Sequence, residues 1–593
     1  MVAPSTRQSG PRRVVGFHPV PVDRLIAVYA VLVAGLLGLG LRLAWLQIAD
    51  SGRLLARARA IQTQSITPIG KRRTIVDRGG RLVALDEQRY TLWAHPRYFN
   101  FPGDKPQQLR TSAEVAARLA AVLARPKAEL ITLLGNRRSG VKLATDLDPE
   151  TAQRVRQLGI SGLDLEAYPE RIYPQGSLFA NVVGFLNLER VPQAGLEQSR
   201  DSDLRRHEDT LRMMRGADGT PLPEGLSAGS LYGDDLRLQL TLDARLQQVA
   251  QQALARQIKH WNAKRGAALV MDVRNGEMLA LASYPTYDPN RFWAFKPALF
   301  REWSVQDLYE PGSTFKPINL AIALQEKAID PAGKVTDTGS ITIGGWPIYN
   351  HDRKANGVID FPTVLQVSSN VGMVHAMSKV KRERFWHWLQ TLGISQRPDT
   401  DLPGAVGGQL KDRVSFLSQP IEPAVAAFGQ GFSLTPLKLL QLHAMLANGG
   451  RLVSPHITRG LRSGDALAAP PPASGIPLLD PSVTKVVMDW MESVVERGKL
   501  AVKTPGYRIG GKTGTAQKAE NGVYIPGALI TSFVGHLPMD DPRYVVLVVI
   551  DEPHGGSVFG STVAAPVAKQ IIDALIVLEN IPPSRPRVRQ QGA

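Results

Sequence analysis

Hydrophobic positions are spread unevenly along the chain, and the longest uninterrupted run lies near the amino terminus. Leu25 to Leu41 contains no charged residue; Arg42 follows, and then Trp45. Arg42 can extend its charged end toward the headgroups and Trp45 can lie at the interface, which lengthens the run to about 20 residues, as a membrane-spanning helix requires. The pattern predicts a transmembrane anchor over residues 25–48.

The flanks of this run distinguish an uncleaved anchor from a cleavable signal peptide. A signal peptide would have a shorter apolar core and a small-x-small cleavage site after it. No such site follows, so an uncleaved anchor is favoured. Arginines lie on both sides of the run, so the positive-inside bias is small. We expect residues 1–24 to form a cytoplasmic tail, an orientation that the chemistry described below also favours.

The region over residues 49–235 shows short alternating and helical patterns but no catalytic motif. Two strand-like runs flank a turn at Arg78-Gly79-Gly80. Residues 111–124 and 149–158 have the spacing of amphipathic helices, and residues 181–185 have the apolar run of a strand. These patterns predict an α+β pedestal without catalytic function.

A different pattern begins near Leu236. A strand-like stretch ends before Asp243, which is placed to cap an amphipathic helix. Residues 267–273 and 277–283 predict a hairpin about Arg274-Asn275-Gly276, and residues 530–534 and 544–550 predict another antiparallel pair. With a closing helix over residues 563–578, the pattern predicts an α+β domain over residues 236–580, an antiparallel sheet with helices packed on it. The Pro- and Arg-rich residues 581–593 are expected to be disordered.

The composition of the chain narrows the kinds of catalysis and binding that it can carry out. The 593 residues carry a net charge of +17 and include no cysteine, which excludes disulfides, cysteine nucleophiles and thiolate metal sites. The 11 histidines show no metal-ligand spacing, so neither a metal nor a cofactor is expected. The basic residues are scattered and no nucleic-acid-binding motif accompanies them, so we expect an anionic surface such as a membrane or cell wall rather than nucleic acid.

One stretch near the middle suggests a nucleophile. Pro311 and Gly312 mark a turn, Ser313 is placed to open a helix, and Lys316 lies one helical turn later. Residues three apart share a helix face, so an amine comes within reach of a hydroxyl, as an activated serine requires. The same Ser-x-x-Lys spacing recurs at Ser139 and Ser378, where we interpret it as an ordinary surface turn.

Two further motifs distinguish Ser313 from these copies. Ser368-Ser369-Asn370 is the sole Ser-x-Asn in the chain, and Lys512-Thr513-Gly514 is the sole Lys-Thr-Gly. The order Ser-x-x-Lys, Ser-x-Asn, Lys-Thr-Gly is the set found in class A β-lactamases and penicillin-binding proteins. Each motif alone is more often a polar turn or strand end, but all three in this order predict a serine acyltransferase site.

The chemistry of acyl transfer assigns a role to each motif. Ser313 would attack a carbonyl and form an acyl-enzyme, and Lys316 would take its proton as a neutral amine. Burial and the neighbouring charge of Lys512 would favour that neutral form. Ser368 would pass a proton to the leaving amine, and Asn370 would hold Lys316 and a substrate amide.

The third motif is expected to hold the substrate. Lys512, Thr513 and Thr515 suit a substrate carboxylate, and Gly514 allows an edge strand to approach the substrate backbone. Backbone N–H groups of Ser313 and Thr515 would form the oxyanion hole.

With these motifs, the chain resembles a class B penicillin-binding protein, a membrane-anchored peptidoglycan D,D-transpeptidase. The resemblance extends from about Arg42 to about Leu578. Residues 42–47 resemble the end of the family's anchor, and residues 72–84 resemble its Arg-Gly-x-Ile-x-Asp-Arg motif, with Arg73 in place of the Gly. Further matching segments are Gly195-Leu196-Glu197, Phe428-Gly429-Gln430-Gly431, Thr435-Pro436-Leu437, Asp551-Glu552-Pro553 and Ala564-Ala565-Pro566-Val567.

The residues in and around the motifs are most similar to those of the cell-division, FtsI-type branch, while the side-wall elongation branch shares most of the motifs. The resemblance implies a substrate, the peptidoglycan stem peptide ending in D-Ala-D-Ala, and acylation of Ser313 by β-lactams. It also implies a single-pass protein of the cytoplasmic membrane with its catalytic domain outside. The implied partners are a polytopic glycosyltransferase and other division proteins.

Three alternatives remain open from the sequence. A β-lactamase shares the chemistry, but it has no use for an anchor or a pedestal. A bifunctional wall synthase would carry paired glycosyltransferase carboxylates, which residues 49–235 lack. A non-catalytic penicillin-binding scaffold is disfavoured because every catalytic residue type is present.

Overall fold

The computed structural model describes residues 21–66, 70–99, 111–206, 211–215, 221–222, 234–464, 466–468, 475–498, 500–520 and 523–584. The chain divides into two compact units, residues 1–68 with 207–233 and residues 69–206 with 234–593. Residues 1–20 of the predicted cytoplasmic tail and 585–593 of the predicted basic tail lie outside the described residues.

The described part of the first unit begins with the apolar segment. An α-helix, Val22–Ala44, continues into a π-helical turn, Trp45–Ala49, and a second helix, Ser51–Gln62, follows. Val22–Ala49 is long and apolar enough to cross a membrane, by length and composition, and it is exposed along its length. Strands Thr63–Ile66, Leu211–Arg215 and Pro221–Leu222 form a small antiparallel sheet in this unit.

A seven-stranded sheet forms one part of the second unit. Its strands are, in spatial order, Ala466–Ala468, Thr458–Ser463, Arg237–Leu240, Thr74–Val76, Leu82–Ala94 and Val141–Leu147, with Leu163–Ile172 also paired to Leu82–Ala94. Helices Ser112–Leu123, Lys127–Gly135 and Pro149–Gln157 bury their apolar faces beside it. Thr111 and Asp148 cap the first and third of these, so the helices predicted there are confirmed.

The strand predicted over residues 181–185 is wrong. Ala180–Val183 is a short buried helix, and Gly184 follows with φ +79°. A Cβ on Gly184 would lie 1.9 Å from the carbonyl oxygen of Ala194, so only glycine allows these two segments to touch. A short apolar run does not distinguish a buried strand from a buried helical turn, which explains the error. Short helices Gly195–Ser199 and Asp201–Leu204 complete this region.

The second sheet of this unit has five strands, all antiparallel. Their spatial order is Met278–Tyr284, Arg265–Asp272, Tyr544–Asp551, Val523–Leu537 and Gly510–Glu520. We call the last one, Gly510–Glu520, the edge strand, because it lies at the end of the sheet that carries the Lys-Thr-Gly motif. The two predicted strand pairs are therefore confirmed.

Alternation of side chains gives the five-stranded sheet two apolar faces. Along its central strand, Val546, Val548 and Ile550 pack with helices Ala244–His260 and Ala565–Leu578. Val545, Leu547 and Val549 belong to the larger core on the other face, which includes helices Lys316–Gln325, Pro436–Ala447 and Pro481–Arg497. This arrangement confirms the predicted α+β class.

The remaining elements connect this frame. The helices are Trp303–Gln306, Phe361–Gln366, Asn370–Met377, Arg382–Thr391, Arg413–Ser418, Ile421–Ala426 and Gly560–Val563. The strand pairs are Lys334–Asp337 with Gly357–Asp360, Ser340–Ile343 with Trp346–Tyr349, and Arg451–Leu452 with Ile476–Pro477. Short 3₁₀ segments cover Pro96–Tyr98, Gly176–Phe179, Pro289–Ala294, Pro297–Phe300 and Gly312–Phe315.

Candidate active site

Ser313 lies in a 3₁₀ turn, Gly312–Phe315, immediately before a buried helix. The α-helix begins at Lys316 rather than at Ser313, and Pro317 occupies its first turn, where a missing N–H costs little. Gly312 has φ +55°, and its N–H donates to the carbonyl of Gly429 at 2.9 Å. The turn is therefore held from outside the helix, by a glycine-rich loop.

Ser368 and Asn370 come from the junction of two helices, Phe361–Gln366 and Asn370–Met377. Ser369 is the N-cap of the second helix, and its hydroxyl accepts from the N–H of Gly372 at 2.8 Å. Ser368 has φ +58°, a left-handed conformation that costs a non-glycine residue about 1 kcal/mol or more. We call Ser368–Asn370 the SSN turn.

The side chains of the three motifs meet in one hydrogen-bond network. Ser368 Oγ lies 2.9 Å from Ser313 Oγ and 3.0 Å from Lys512 Nζ, within hydrogen-bond distance of both. Lys316 Nζ lies 2.6 Å from the Ser368 carbonyl oxygen, 2.8 Å from Asn370 Oδ1 and 3.2 Å from Ser368 Oγ. Ser313 and Lys316 are therefore linked through Ser368.

Burial controls the charge state of both lysines. Lys316 is fully buried, and desolvation, reinforced by the charge of Lys512, holds its pKa well below the ordinary value of a lysine, against an opposing effect of Asp337. Burial also lowers the pKa of Lys512 to about 7. A neutral lysine beside a serine relay is the condition that general-base catalysis requires.

The edge strand brings the third motif to the same place. Lys512 and Gly514 lie on its buried face, whereas Thr513 and Thr515 alternate on the half-buried face. A Cβ on Gly514 would lie 2.4 Å from Ser532 Oγ and 3.0 Å from Thr314 Cγ2, so glycine is needed here for packing beneath the strand. The Thr515 hydroxyl accepts from the N–H of Gly560 at 3.2 Å.

The other Ser-x-x-Lys copies, which begin at Ser139, Ser378 and Ser482, lie in ordinary surroundings, and the Ser482 hydroxyl donates to the Asp480 carboxylate at 2.6 Å. Ser139 pairs with His95 Nδ1 at 2.7 Å, and Lys142 lies 5.1 Å from the centre of the Trp93 ring. The Ser378 hydroxyl donates to the carbonyl of His375 in its own helix.

Two side chains beside the candidate site, Asn350 and Glu310, could not be predicted from the motif spacing. Asn350, at the end of a short strand, accepts from the N–H groups of Asn370 and Val371. Glu310, three residues before Ser313, accepts from the hydroxyl of Tyr524 at 2.9 Å and from the N–H of Gly431. Both depend on contacts between segments far apart in sequence. Within the described ranges, no group of three or more His, Cys, Asp or Glu side chains could hold a metal ion.

Comparison with known proteins agrees with this architecture. The family model of the penicillin binding protein transpeptidase domain matches residues 266–573, and that of the penicillin-binding protein dimerisation domain matches residues 68–238. The chain is 36% identical to a peptidoglycan D,D-transpeptidase FtsI homolog of Mesostigma viride, with 97% of this chain and 98% of that protein covered. It is 33% identical to the FtsI homolog of Chlorokybus atmophyticus, over 92% and 95% of the two chains.

A solved structure supports the same relationship. The crystal structure of a peptidoglycan synthetase from Bifidobacterium adolescentis matches with a TM-score of 0.68 and 26% identity, covering 88% of this chain and 98% of that one. The fold and the domain matches thus define a class B penicillin-binding protein, with a dimerisation domain before the transpeptidase domain. Within that class, the chain belongs to the family of FtsI-type peptidoglycan D,D-transpeptidases, as the sequence motifs predicted.

Proposed function

We propose that this transpeptidase cross-links stem peptides at the division septum through an acyl-enzyme on Ser313. The observation that carries the catalytic part of the proposal is the continuous path of hydrogen bonds from Ser313 Oγ through Ser368 Oγ to Lys316 Nζ. The path ends at a buried lysine whose pKa is strongly depressed.

The donors and acceptors around Lys316 fit a neutral amine. A neutral amine has two N–H donors and one lone pair. The carbonyl of Ser368 and Oδ1 of Asn370 take the two donors, at 2.6 and 2.8 Å, which leaves the lone pair directed at Ser368 Oγ. As Ser313 attacks, its proton can pass to Ser368 while the Ser368 proton passes to Lys316, and the same path can return a proton to the departing D-Ala amine.

The edge strand supplies the groups expected to hold the substrate. We propose that Thr513 and Thr515, on the half-buried face, bind the terminal carboxylate of D-Ala-D-Ala. Lys512 Nζ is buried against Ser368 Oγ and the carbonyl of Thr513, so its contribution is positive potential from behind the strand. Backbone N–H groups of Ser313 and Thr515 would stabilise the oxyanion.

The acyl-enzyme formed from a stem peptide is resolved by a second amine, whereas the one formed from a β-lactam persists. An amine from a neighbouring stem peptide attacks the Ser313 ester, so that the new peptide bond forms as the ester breaks and Ser313 recovers its proton. A β-lactam would acylate Ser313 in the same way but leave a long-lived adduct, because its leaving group stays attached.

The setting of the enzyme follows from its apolar helix and its family. We propose that residues 25–48 anchor the chain in the cytoplasmic membrane, with residues 1–24 in the cytoplasm. Residues 49–235 would form the pedestal and residues 236–580 the transpeptidase domain outside the membrane. A polytopic glycosyltransferase and other division proteins are the proposed partners, because cross-linking requires freshly polymerised glycan.

The catalytic proposal is tested with fluorescent penicillin and the full-length protein in detergent. Wild type is expected to be labelled covalently, and Ser313→Ala is expected to lose the label because Ser368, the other hydroxyl in the network, transfers protons rather than attacking the carbonyl. Ser139→Ala and Ser378→Ala are matched controls from two of the other Ser-x-x-Lys copies and should label as wild type. Labelling that persists in Ser313→Ala, or rapid hydrolysis of penicillin by wild type, would contradict the proposal.

The septal assignment is tested separately in cells. A fluorescent fusion of the wild-type chain should concentrate at the division site, whereas uniform side-wall fluorescence would favour the elongation role.

A further inference from the structure

Asn350 lies behind the SSN turn and faces it with its side-chain amide. Its Oδ1 accepts from the N–H groups of Asn370 at 2.8 Å and Val371 at 3.2 Å, and from the Ser369 hydroxyl at 3.4 Å. Asn350 is 3% exposed and Ser369 is 1% exposed, so water does not compete for these bonds. One amide oxygen therefore accepts from two donors of the SSN turn and from the N–H of Val371, which follows it.

A buried carboxylate fixes the orientation of this amide. Nδ2 of Asn350 donates to the two carboxylate oxygens of Asp337 at 2.8 and 2.9 Å, and to the carbonyl of Lys354 at 3.0 Å. A flipped amide would place its oxygen against the Asp337 carboxylate and its N–H groups against those of Asn370 and Val371. Asp337 thus dictates that the oxygen of Asn350 faces the SSN turn.

Asp337 is itself held as an anion. It is 1% exposed, and burial opposes its ionisation, but hydrogen bonds from Asn356 and the N–H of Gly339 are among those that lower its pKa below the usual range. Strand Lys334–Asp337 pairs with Gly357–Asp360, which places Asn356 beside the carboxylate. The Asp337–Asn350 pair is therefore part of a fixed, buried scaffold.

The SSN turn needs such support because its conformation is unfavourable. Ser368 has φ +58°, and its carbonyl oxygen and hydroxyl must both face Lys316. A left-handed residue persists where surrounding contacts determine it. The N–H groups that donate to Asn350, those of Asn370 and Val371, lie within three residues after Ser368 along the chain.

We propose that Asp337 and Asn350 are positioning residues for acyl transfer, which hold the SSN turn so that Ser368 connects Ser313 to Lys316. Neither residue touches the reacting atoms in this network. This inference rests on the proposed role of Ser313, and it adds an ordered pair of buried side chains that the three sequence motifs do not contain.

The test measures acylation of the full-length protein by fluorescent penicillin, separating initial binding from the acylation rate constant. Asn350→Asp places two carboxylates within hydrogen-bond distance and is expected to slow acylation about 100-fold with little change in initial binding, since small displacements of a relay group have effects of this size. Asp337→Asn removes the anion that orients Asn350 and should slow acylation about tenfold.

The double variant Asp337→Asn with Asn350→Asp restores an amide–carboxylate pair of reversed polarity. It is expected to recover about tenfold of the rate lost in Asn350→Asp, which a general loss of packing would not do. Asp352→Asn is the matched control, because Asp352 is an exposed carboxylate of the same loop as Asn350 that accepts from the N–H of Lys354 and, among the described residues, forms no hydrogen bond with Asp337 or with the SSN turn. It should acylate within about threefold of wild type.

The outcomes distinguish this inference from the function on which it rests. Wild type that is not labelled at Ser313 overturns the proposed function. A labelled wild type with folded Asn350→Asp acylating at the wild-type rate overturns the positioning role alone, as does a control variant as slow as Asn350→Asp. If Asn350→Asp does not fold, Asp337→Asn decides, and a wild-type rate there overturns the inference.

Discussion

At the scale of single residues, Ser368 connects Ser313, the proposed nucleophile, to Lys316, the proposed base. Its hydroxyl oxygen lies within 3.2 Å of Ser313 Oγ, Lys316 Nζ and Lys512 Nζ, and it is the one atom that all three share in this network. A serine hydroxyl has one donor and two acceptor positions, which matches three neighbours. The left-handed backbone at this residue is what directs both its carbonyl and its hydroxyl at Lys316.

The charge state of Lys316 leads to a prediction for Lys316→Arg. Arginine remains protonated at all relevant pH, so it cannot accept the proton of Ser313. We expect the acylation rate of the folded fraction with fluorescent penicillin to fall about 1,000-fold, a typical contribution of a general base. Acylation within tenfold of wild type would exclude Lys316 as the base.

The same residue determines the pH dependence of wild type. The pKa of Lys316 is depressed by burial and by Lys512, so the neutral, active form persists well below the pH at which an ordinary lysine becomes protonated. The acylation rate is therefore expected to be flat across the alkaline range and to decrease as pH falls through that depressed pKa. A rate that rises only above about pH 10, as for an ordinary lysine, would contradict this account.

At the scale of elements, the turn before the helix Lys316–Gln325 depends on the loop that contains Gly429. Gly429 has φ +86°, and a Cβ there would lie 2.1 Å from the carbonyl oxygen of Gly312. The contact is made by backbone on both sides, so neither side can yield by a change of rotamer. The loop therefore fixes the position of the 3₁₀ turn that contains Ser313.

Gly429→Ala is predicted to displace this turn. The left-handed backbone alone should cost about 1 kcal/mol, and the clash should add about 1–3 kcal/mol, with a loss of penicillin acylation. Gly345→Ala is the matched control, because Gly345 has the same φ, +86°, but open space around it. Thermal unfolding and acylation measured on both variants separate the cost of the left-handed backbone from the cost of the clash. Equal losses of stability and of acylation rate in the two variants would show that the contact with Gly312 is unimportant.

At the scale of the whole molecule, the family motifs of the amino-terminal half meet in a buried ionic cluster. Glu197, which is fully buried, binds Arg72 at 2.9 Å and Arg171 at 2.7 Å. Arg171 also binds Asp86 at 3.2 Å. The cluster joins segments more than 100 residues apart, so it fixes the tertiary arrangement of this half rather than any single element.

Glu197→Ala should strongly destabilise the protein. Removing the carboxylate leaves Arg72 and Arg171 buried with too little compensating charge, which typically costs about 3–5 kcal/mol. The measurement is the denaturant midpoint of the unfolding transition in which the pedestal takes part. Glu189→Ala serves as control because Glu189 is exposed, and it should change the midpoint very little. Similar midpoints for the two variants would refute the structural importance of the cluster.

The sequence by itself determined the class of the fold and the residue types of the site. Alternation predicted the strand pairs of the five-stranded sheet, and the cap residue Asp243 located a helix start, because these signals depend on neighbours in sequence. The order of Ser313, Ser368 and Lys512 indicated acyl transfer before any distance was known, since only a few chemistries use that set.

Only the tertiary structure decided how those residues act together. Spacing suggested a direct contact between Ser313 and Lys316, whereas the fold links them through Ser368, which comes from a separate helix junction. The helical turn at residues 180–183 and the support of the SSN turn by Asn350 were equally invisible in the sequence. Local sequence patterns reflect the interactions of residues that are close in sequence. Burial, backbone strain and depressed pKa values arise from segments that meet only in the folded chain.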